Sequence, residues 1–234
     1  MLDTFLIRYK YTGLNMIKRS VGRPKILNRA HVVNMAFKEY WLHGINNVAI
    51  STVAKASNVS RPGIYMEFKN EDTLKSEVLK KYISESAIPV HKNYDDYKKY
   101  PNQLLNHMDA LINDGNCKLS DNPTYNYIER PEGAIGCLLL RSILLKFTLG
   151  PVSQKVISDF EKYRLKQLKK YIINAKNDEV FNKNLDPDFY AKYLHWVFGS
   201  IQIMRLNSTS KDEVTKVINT SLMPLFKSTK ILNS

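Results

Sequence analysis

Residues 47–82, NVAISTVAKASNVSRPGIYMEFKNEDTLKSEVLKKY, constrain the fold most, because they read as two short helices around a tight reversal followed by a longer helix. Ile50, Val53 and Ala54 recur at three and four residues and share one face of the first helix. Ala56 is a small residue in its last turn, where another helix can approach closely. Asn58 stands at the reversal, and asparagine tolerates the left-handed conformation better than most residues. Val59 then supplies a core contact and Ser60 a helix cap, and Pro62 falls in the first turn, where a missing N–H costs little. This spacing predicts a helix-turn-helix, a unit whose second helix can enter the major groove of DNA.

Charge agrees with a polyanionic partner. The chain of 234 residues carries 35 Lys and Arg against 22 Asp and Glu, a net charge of +13. Residues 1–82 hold 14 of the basic and 6 of the acidic side chains, so most of the excess lies in the N-terminal third. Neutralising phosphates with such residues releases condensed counterions, although net charge alone does not exclude a solvated basic surface. Two cysteines, Cys117 and Cys137, make no disulfide framework and fit a reducing cytoplasm. The most hydrophobic stretch, 134–149, is broken by Arg141 and Lys146, so no membrane span is expected. The opening MLDTFLIRYKYTGLN lacks the apolar core and cleavage site of a signal peptide. Met16 opens MIKRSVGRPK, so residues 1–15 read as an extension or as a matter of start-codon choice.

Periodicity elsewhere predicts helices only. The first runs from Asn28, a good cap, to Gly44, a good stop, with Val33, Ala36, Phe37, Tyr40 and Trp41 as its apolar stripe. Asn70 caps a fourth helix with a stripe at Leu74, Val78, Leu79 and Tyr82, which Pro89 ends or kinks. A fifth starts at Pro101 and runs through Leu104, Leu105, Met108 and Leu111. Residues 114–132 read as a loop, followed by helices at 134–148, 152–175, 187–206 and 211–226. No segment sustains a period of two, so the fold expected is all-α. The expected division is a basic arm over 1–27, a DNA-binding unit over 28–75, and a helical effector-binding and dimerisation unit over 76–234.

The segments AFKEYWLHG and VAKASNVSRPGIYMEFKNEDTL resemble the DNA-binding domain of the TetR family of bacterial repressors over residues 28–82. An aromatic residue and a glycine end the first helix there, as Trp41 and Gly44 do here. The run from Val53 to Ser60 is similar to the family's hydrophobic-Ala-x-x-Ala-Gly-Val-Ser pattern, and Ile64 to Leu74 to its Leu-Tyr-x-x-Phe-x-x-Lys-x-x-Leu pattern. Asn58 replaces the usual glycine, Pro62 enters the recognition helix, and Glu67 replaces a common aromatic or histidine; the last two bear on base preference. GCLL at 136–139 and a final helix pair from Asp186 are similar to the family more loosely.

That resemblance implies DNA contacts. Tyr65 would present its hydroxyl to a phosphate, with Lys69 near the same strand. Arg61 can reach a guanine or a phosphate, with Pro62 beside it, and Gly63 leaves room for a base edge or simply suits a helix start. Ser51 and Thr52 either bond phosphates or cap their helix. Ahead of the first helix, Gly22-Arg23-Pro24 followed by Lys25 is like the hook peptides that enter narrow A·T minor grooves; Arg23 and Lys25 are the candidate contacts.

The resemblance also implies a ligand pocket and a homodimer joined through the last two helices. The candidate dimer surface is Tyr190, Leu194, Val197, Phe198 and Ile201 on one helix, with Met204 beyond them. Val214, Val217, Ile218 and Leu222 face them from the other, the alternative being an intramolecular core. Candidate pocket residues are His107, Tyr125, Arg141, Phe147, His195 and Trp196, although a lone histidine on an apolar helix is more often a structural residue. No catalytic motif, phosphate loop or metal-spaced Cys/His cluster is present, so an enzyme is not expected, nor a cofactor or metal. The reading is a ligand-responsive repressor that binds double-stranded operator DNA and is released by a small-molecule effector. A thiol redox sensor using Cys137 or Cys117 and an architectural protein of A·T-rich DNA are the alternatives.

Overall fold

The computed structural model describes residues 27–92, 101–112 and 130–227. Ten α-helices occur among them: α1 (Arg29–His43), α2 (Ile50–Ser57), α3 (Arg61–Phe68), α4 (Glu71–Tyr82), α5 (Ile88–Lys92), α6 (Asn102–Ile112), α7 (Leu138–Leu144), α8 (Pro151–Asn177), α9 (Pro187–Leu206) and α10 (Lys211–Leu222). The described residues form no strand; Phe181 and Phe226 make an isolated bridge. None of their helices is long and apolar enough to cross a membrane.

Local chemistry sets most helix ends. The Asn28, Ser60 and Asn70 side chains accept from the backbone N–H three residues on, at 3.0, 3.1 and 2.8 Å. Each such cap contributes about 1 kcal/mol. Asn58 adopts φ 53°, ψ 42°, the left-handed reversal between α2 and α3. Gly44 stops α1 at φ 92°.

Several expectations shift. The α1 stripe centres on fully buried Val32, with Val33 only half-buried at its edge. Ala56 is exposed; Ser57 takes the interior position and returns its hydroxyl to the Val53 carbonyl at 2.7 Å. Pro89 does not end its helix. A π-helical turn, Ile83–Ala87, widens the backbone just before it, and the helix continues as α5. Such a turn absorbs the missing N–H and the ring's clash with the preceding carbonyl. The helix expected over 134–148 starts only at Leu138, because Gly136 sits at φ 67°, and Lys146–Thr148 is a 3-10 turn. The helix expected over 211–226 stops at Leu222, and Pro224 lies in a closing 3-10 turn.

Two apolar cores result. The first joins α1–α4 with Leu138 and Leu139 of α7 and Ile157 and Phe160 of α8. The second joins α6, the C-terminal half of α8, α9, α10 and Phe226. The boundary expected at 75/76 falls inside α4, which packs on α1 and on α8. The helix-turn-helix unit and the start of the remainder thus share the first core along α4.

Candidate nucleic-acid interface

Ile64 and Phe68 are buried and pin α3 against the first core. That leaves Arg61, Pro62, Tyr65, Met66 and Lys69 exposed on its outer side. Tyr65 is 37% exposed, so it is not a core aromatic, and its hydroxyl donates to Glu71 Oε1 at 3.1 Å. Ser51 and Thr52 are exposed at the start of α2. They do not cap it: Ala49 is the cap residue, with no side-chain bond, and the Thr52 N–H turns back to the Ala49 carbonyl at 3.0 Å, which leaves the N–H groups before it without a side-chain cap. Gly63 has a local reason, since a Cβ there would lie 3.1 Å from Ser60 Oγ and 3.3 Å from Val59 Cγ1, crowding the cap. Glu67 faces no uncompensated field: Arg29 Nη1 pairs with its carboxylate at 2.8 Å, and the same guanidinium lies 4.4 Å from the Phe68 ring centroid. Arg23 and Lys25 lie outside the described residues.

The helix-turn-helix unit is bolted to the rest by polar bonds that its sequence does not announce. Trp41 Nε1 donates to the Gly136 carbonyl at 2.8 Å, and Arg141 Nη1 donates to the Trp41 carbonyl at 2.8 Å. Asp72 of α4 caps α8 from outside, accepting from Val152 N at 2.8 Å and Ser153 N at 3.2 Å. Gly150 has to be glycine because a Cβ there would overlap the Asp72 carboxylate. Tyr82 donates its hydroxyl to Cys137 Sγ at 3.2 Å, while that sulfur also caps α7. Burial first, then the Cys137 thiol, holds the Tyr82 hydroxyl well above its ordinary pKa.

The pocket candidates separate. His107 and His195 are buried in the interior. Arg141 belongs to the junction with Trp41. Phe147 is 89% exposed and Trp196 63% exposed, so neither lines that interior. Tyr125 and Cys117 lie outside the described residues. Two further residues join the histidines: His91 on α5 and Arg164 on α8, both buried. Arg164 had a visible signal, a cation inside the apolar stripe Ile157, Phe160, Leu168, Tyr171. Burial, then the Arg164 charge, lowers all three imidazoles: His91 well below its usual value, His107 to about 3 and His195 to about 4.

An acid-stability signature follows. Below the usual histidine value of about 6.5, the unfolded chain takes up protons that these folded imidazoles refuse. Stability is therefore complete above about pH 6.5 and falls as pH drops from there, by up to about 1.4 kcal/mol per pH unit for each histidine. Thermal melts between about pH 7 and pH 5, above most carboxylate titration, should show the decline, and His107→Gln should make it shallower, with His91 and His195 still contributing. A melting temperature constant across that window would contradict the buried neutral histidines.

Burial divides the dimer candidates. Leu194, Phe198, Ile201, Val214, Ile218 and Leu222 are at most 3% exposed and fill the protomer's own second core. Val197 is buried with them, and Tyr190 and Val217 are half-buried. The outer side of α9 instead carries Phe189 (58% exposed), Trp196 and Ile203, with Met223 exposed just after α10.

No family model matches the chain. A curated relative, the HTH-type transcriptional repressor ComR of Escherichia coli (strain K12), is 22% identical over 210 residues, covering 88% of this chain and 92% of its own. Among solved structures, reduced E. coli NemR superposes with a TM-score of 0.67 at 13% identity, over 86% of this chain and 97% of its own. The TetR family regulator CifR, as a cysteine mutant complexed with a 26 bp double-strand operator, gives 0.64 at 16%, over 87% and 100%. A protein from Saccharomonospora viridis described as a transcriptional regulator, in complex with choline, gives 0.65 at 16%, over 86% and 98%. ComR is described as a transcriptional repressor, and CifR and the S. viridis protein as transcriptional regulators. The chain has the fold of the TetR-type regulators, and its likeness to them, carried in the sequence by residues 28–82, extends over most of its length.

Proposed function

We propose that the protein is a ligand-responsive transcriptional repressor that acts in the cytoplasm and binds a palindromic operator as a homodimer. The outward face of α3 carries this reading: Arg61, Tyr65 and Lys69 are exposed together while Ile64 and Phe68 fix the helix from behind. Arg61 and Lys69 meet phosphates or guanine edges, Ser51, Thr52 and the open start of α2 take a neighbouring phosphate, and Gly63 keeps the α3 cap intact. Pro62 presets the first turn of α3, and Arg23 and Lys25 add a minor-groove arm. The operator complex of CifR supports the mode of binding, and ComR supports the repressor role.

A single reading helix covers too few base pairs for specific binding, so two are needed. Phe189, Tyr193, Trp196, Ser200 and Ile203 recur at four and three residues along the outer side of α9. A two-fold axis beside this seam would bury it against its copy, with Met223 at the margin.

Tyr65→Phe tests the DNA face. It keeps the ring and removes the hydroxyl, which in the DNA complex would leave Glu71 for a phosphate. Affinity for a duplex recovered by binding-site selection should fall by about 0.5–1.5 kcal/mol, with the melting temperature unchanged. Fluorescence anisotropy measures the affinity, and equal binding by variant and wild type would remove Tyr65 from the interface.

A further inference from the structure

Helix α3 carries an apolar crest on the side away from the protein. Successive helical residues turn by about 100°, so Met66 points directly opposite the midpoint of the buried pair Ile64 and Phe68. Met66 is 86% exposed, and Pro62, one turn earlier, is exposed on the same side. A single exposed methionine is ordinary on a protein surface; its place at the crest of the DNA-facing helix is what carries meaning. The neighbouring polar groups are drawn off that crest. The Tyr65 hydroxyl donates to Glu71 Oε1 at 3.1 Å. Arg29 Nη1 donates to the Glu67 carboxylate at 2.8 Å and to the Glu67 carbonyl at 3.1 Å, and Arg29 Nη2 lies 3.9 Å from the Glu77 carboxylate. A carboxylate held in this way is turned from the amino group of cytosine, the base edge it could otherwise read. In a major groove the crest of a helix meets base edges and its flanks meet phosphates. The apolar group displayed there is the C5 methyl of thymine. Methionine suits it, being unbranched, flexible and polarisable.

We propose that Met66 is a specificity-determining residue that reads thymine, its thioether packed on the C5 methyl of a base in each half-site, with Pro62 closing the contact from the same side. The proposal rests on the DNA-binding reading above and adds the base that α3 selects. The crest and the cations divide the work. Contacts of Arg61 and Lys69 with phosphates weaken as salt rises, whereas an apolar contact with a methyl releases no counterion. The Arg29 pairing keeps the Glu67 charge from the groove while Met66 occupies it.

The test uses the full chain, a duplex recovered by binding-site selection, and fluorescence anisotropy. Each thymine of that duplex is replaced in turn by deoxyuridine, which pairs alike and lacks only the methyl. At one or two positions per half-site the wild type should lose about fourfold in affinity, the worth of one buried methyl. Met66→Ala should bind the parent duplex about fourfold more weakly or worse, and should no longer distinguish deoxyuridine from thymine at those positions. Its salt dependence should match that of the wild type, and Met66→Leu should keep the methyl preference. The exposed position leaves the fold alone, so Met66→Ala should melt with the wild type. Indifference of the wild type to deoxyuridine at every thymine, or a methyl effect that survives in Met66→Ala, overturns the assignment. A preference for cytosine that only Glu67→Gln relaxes makes the carboxylate the reader and overturns it too. Selection that recovers no duplex overturns the DNA-binding reading as well, whereas a recovered duplex indifferent to these changes keeps the regulator and removes only the role of Met66.

Discussion

Ile201→Glu should unfold the protomer, whereas Trp196→Glu, five residues earlier on α9, should leave a folded monomer. Ile201 has no solvent exposure and belongs to the second core. Truncating a buried isoleucine costs about 2–5 kcal/mol, and an unpaired carboxylate in its place costs several more. The sum approaches the whole stability of an ordinary domain, about 5–15 kcal/mol. Trp196 is mostly exposed and lies on the proposed seam, so a charge there leaves the protomer core alone. In the dimer it would meet its own copy across the axis, and like charges buried together oppose association. Circular dichroism should show lost helicity for Ile201→Glu only. Light scattering should give Trp196→Glu a mass near 27.1 kDa, with DNA affinity reduced in parallel. A dimeric Trp196→Glu would move the interface off α9, and a folded Ile201→Glu would contradict the core packing.

Trp41→Ala should cost about 3–5 kcal/mol, the usual range for a buried tryptophan, and lower the melting temperature by roughly 10 °C. The indole is 3% exposed and edge-packed on Phe37 at 5.3 Å and on Tyr82 at 5.1 Å. Its N–H reaches Gly136, so the variant also abandons a bond that ties α1 to the turn before α7. DNA binding should weaken although Trp41 touches no DNA-facing residue, because the reading unit loses its fixed seat. Trp41→Phe keeps most of the apolar volume and removes only the donor. The Gly136 carbonyl still receives Arg130 Nη2 at 3.3 Å, so a loss of about 0.5–1.5 kcal/mol is expected. If Trp41→Ala melts within a degree or two of wild type, the junction is not what holds the unit in place.

Trp41 also divides what could be read in the chain from what could not. Its place in the α1 stripe, the Asn28, Ser60 and Asn70 caps, the left-handed Asn58 and the α4 stripe are all settled by residues within about four positions of one another. Helical period, side-chain capping and allowed dihedrals act over that range, so a linear string carries them. The exposed candidates on α2 and α3 were legible for the same reason, since buried Ile64 and Phe68 fix which side faces out. What Trp41 bonds to lies 95 residues away, and the Asp72 cap on α8 about 80 away. Nothing local distinguishes those partners from other polar residues. The apolar faces of α9 and α10 posed the same difficulty in another form. A stripe that fills its own protomer and one that seals a dimer have the same period, so Leu194, Phe198 and Ile201 read as either. Packing of α6, α8 and α10 around α9 put those residues inside and left Phe189, Trp196 and Ile203 outside. The meeting of His91, His107, His195 and Arg164 is likewise a product of four helices converging, each ordinary in its own sequence.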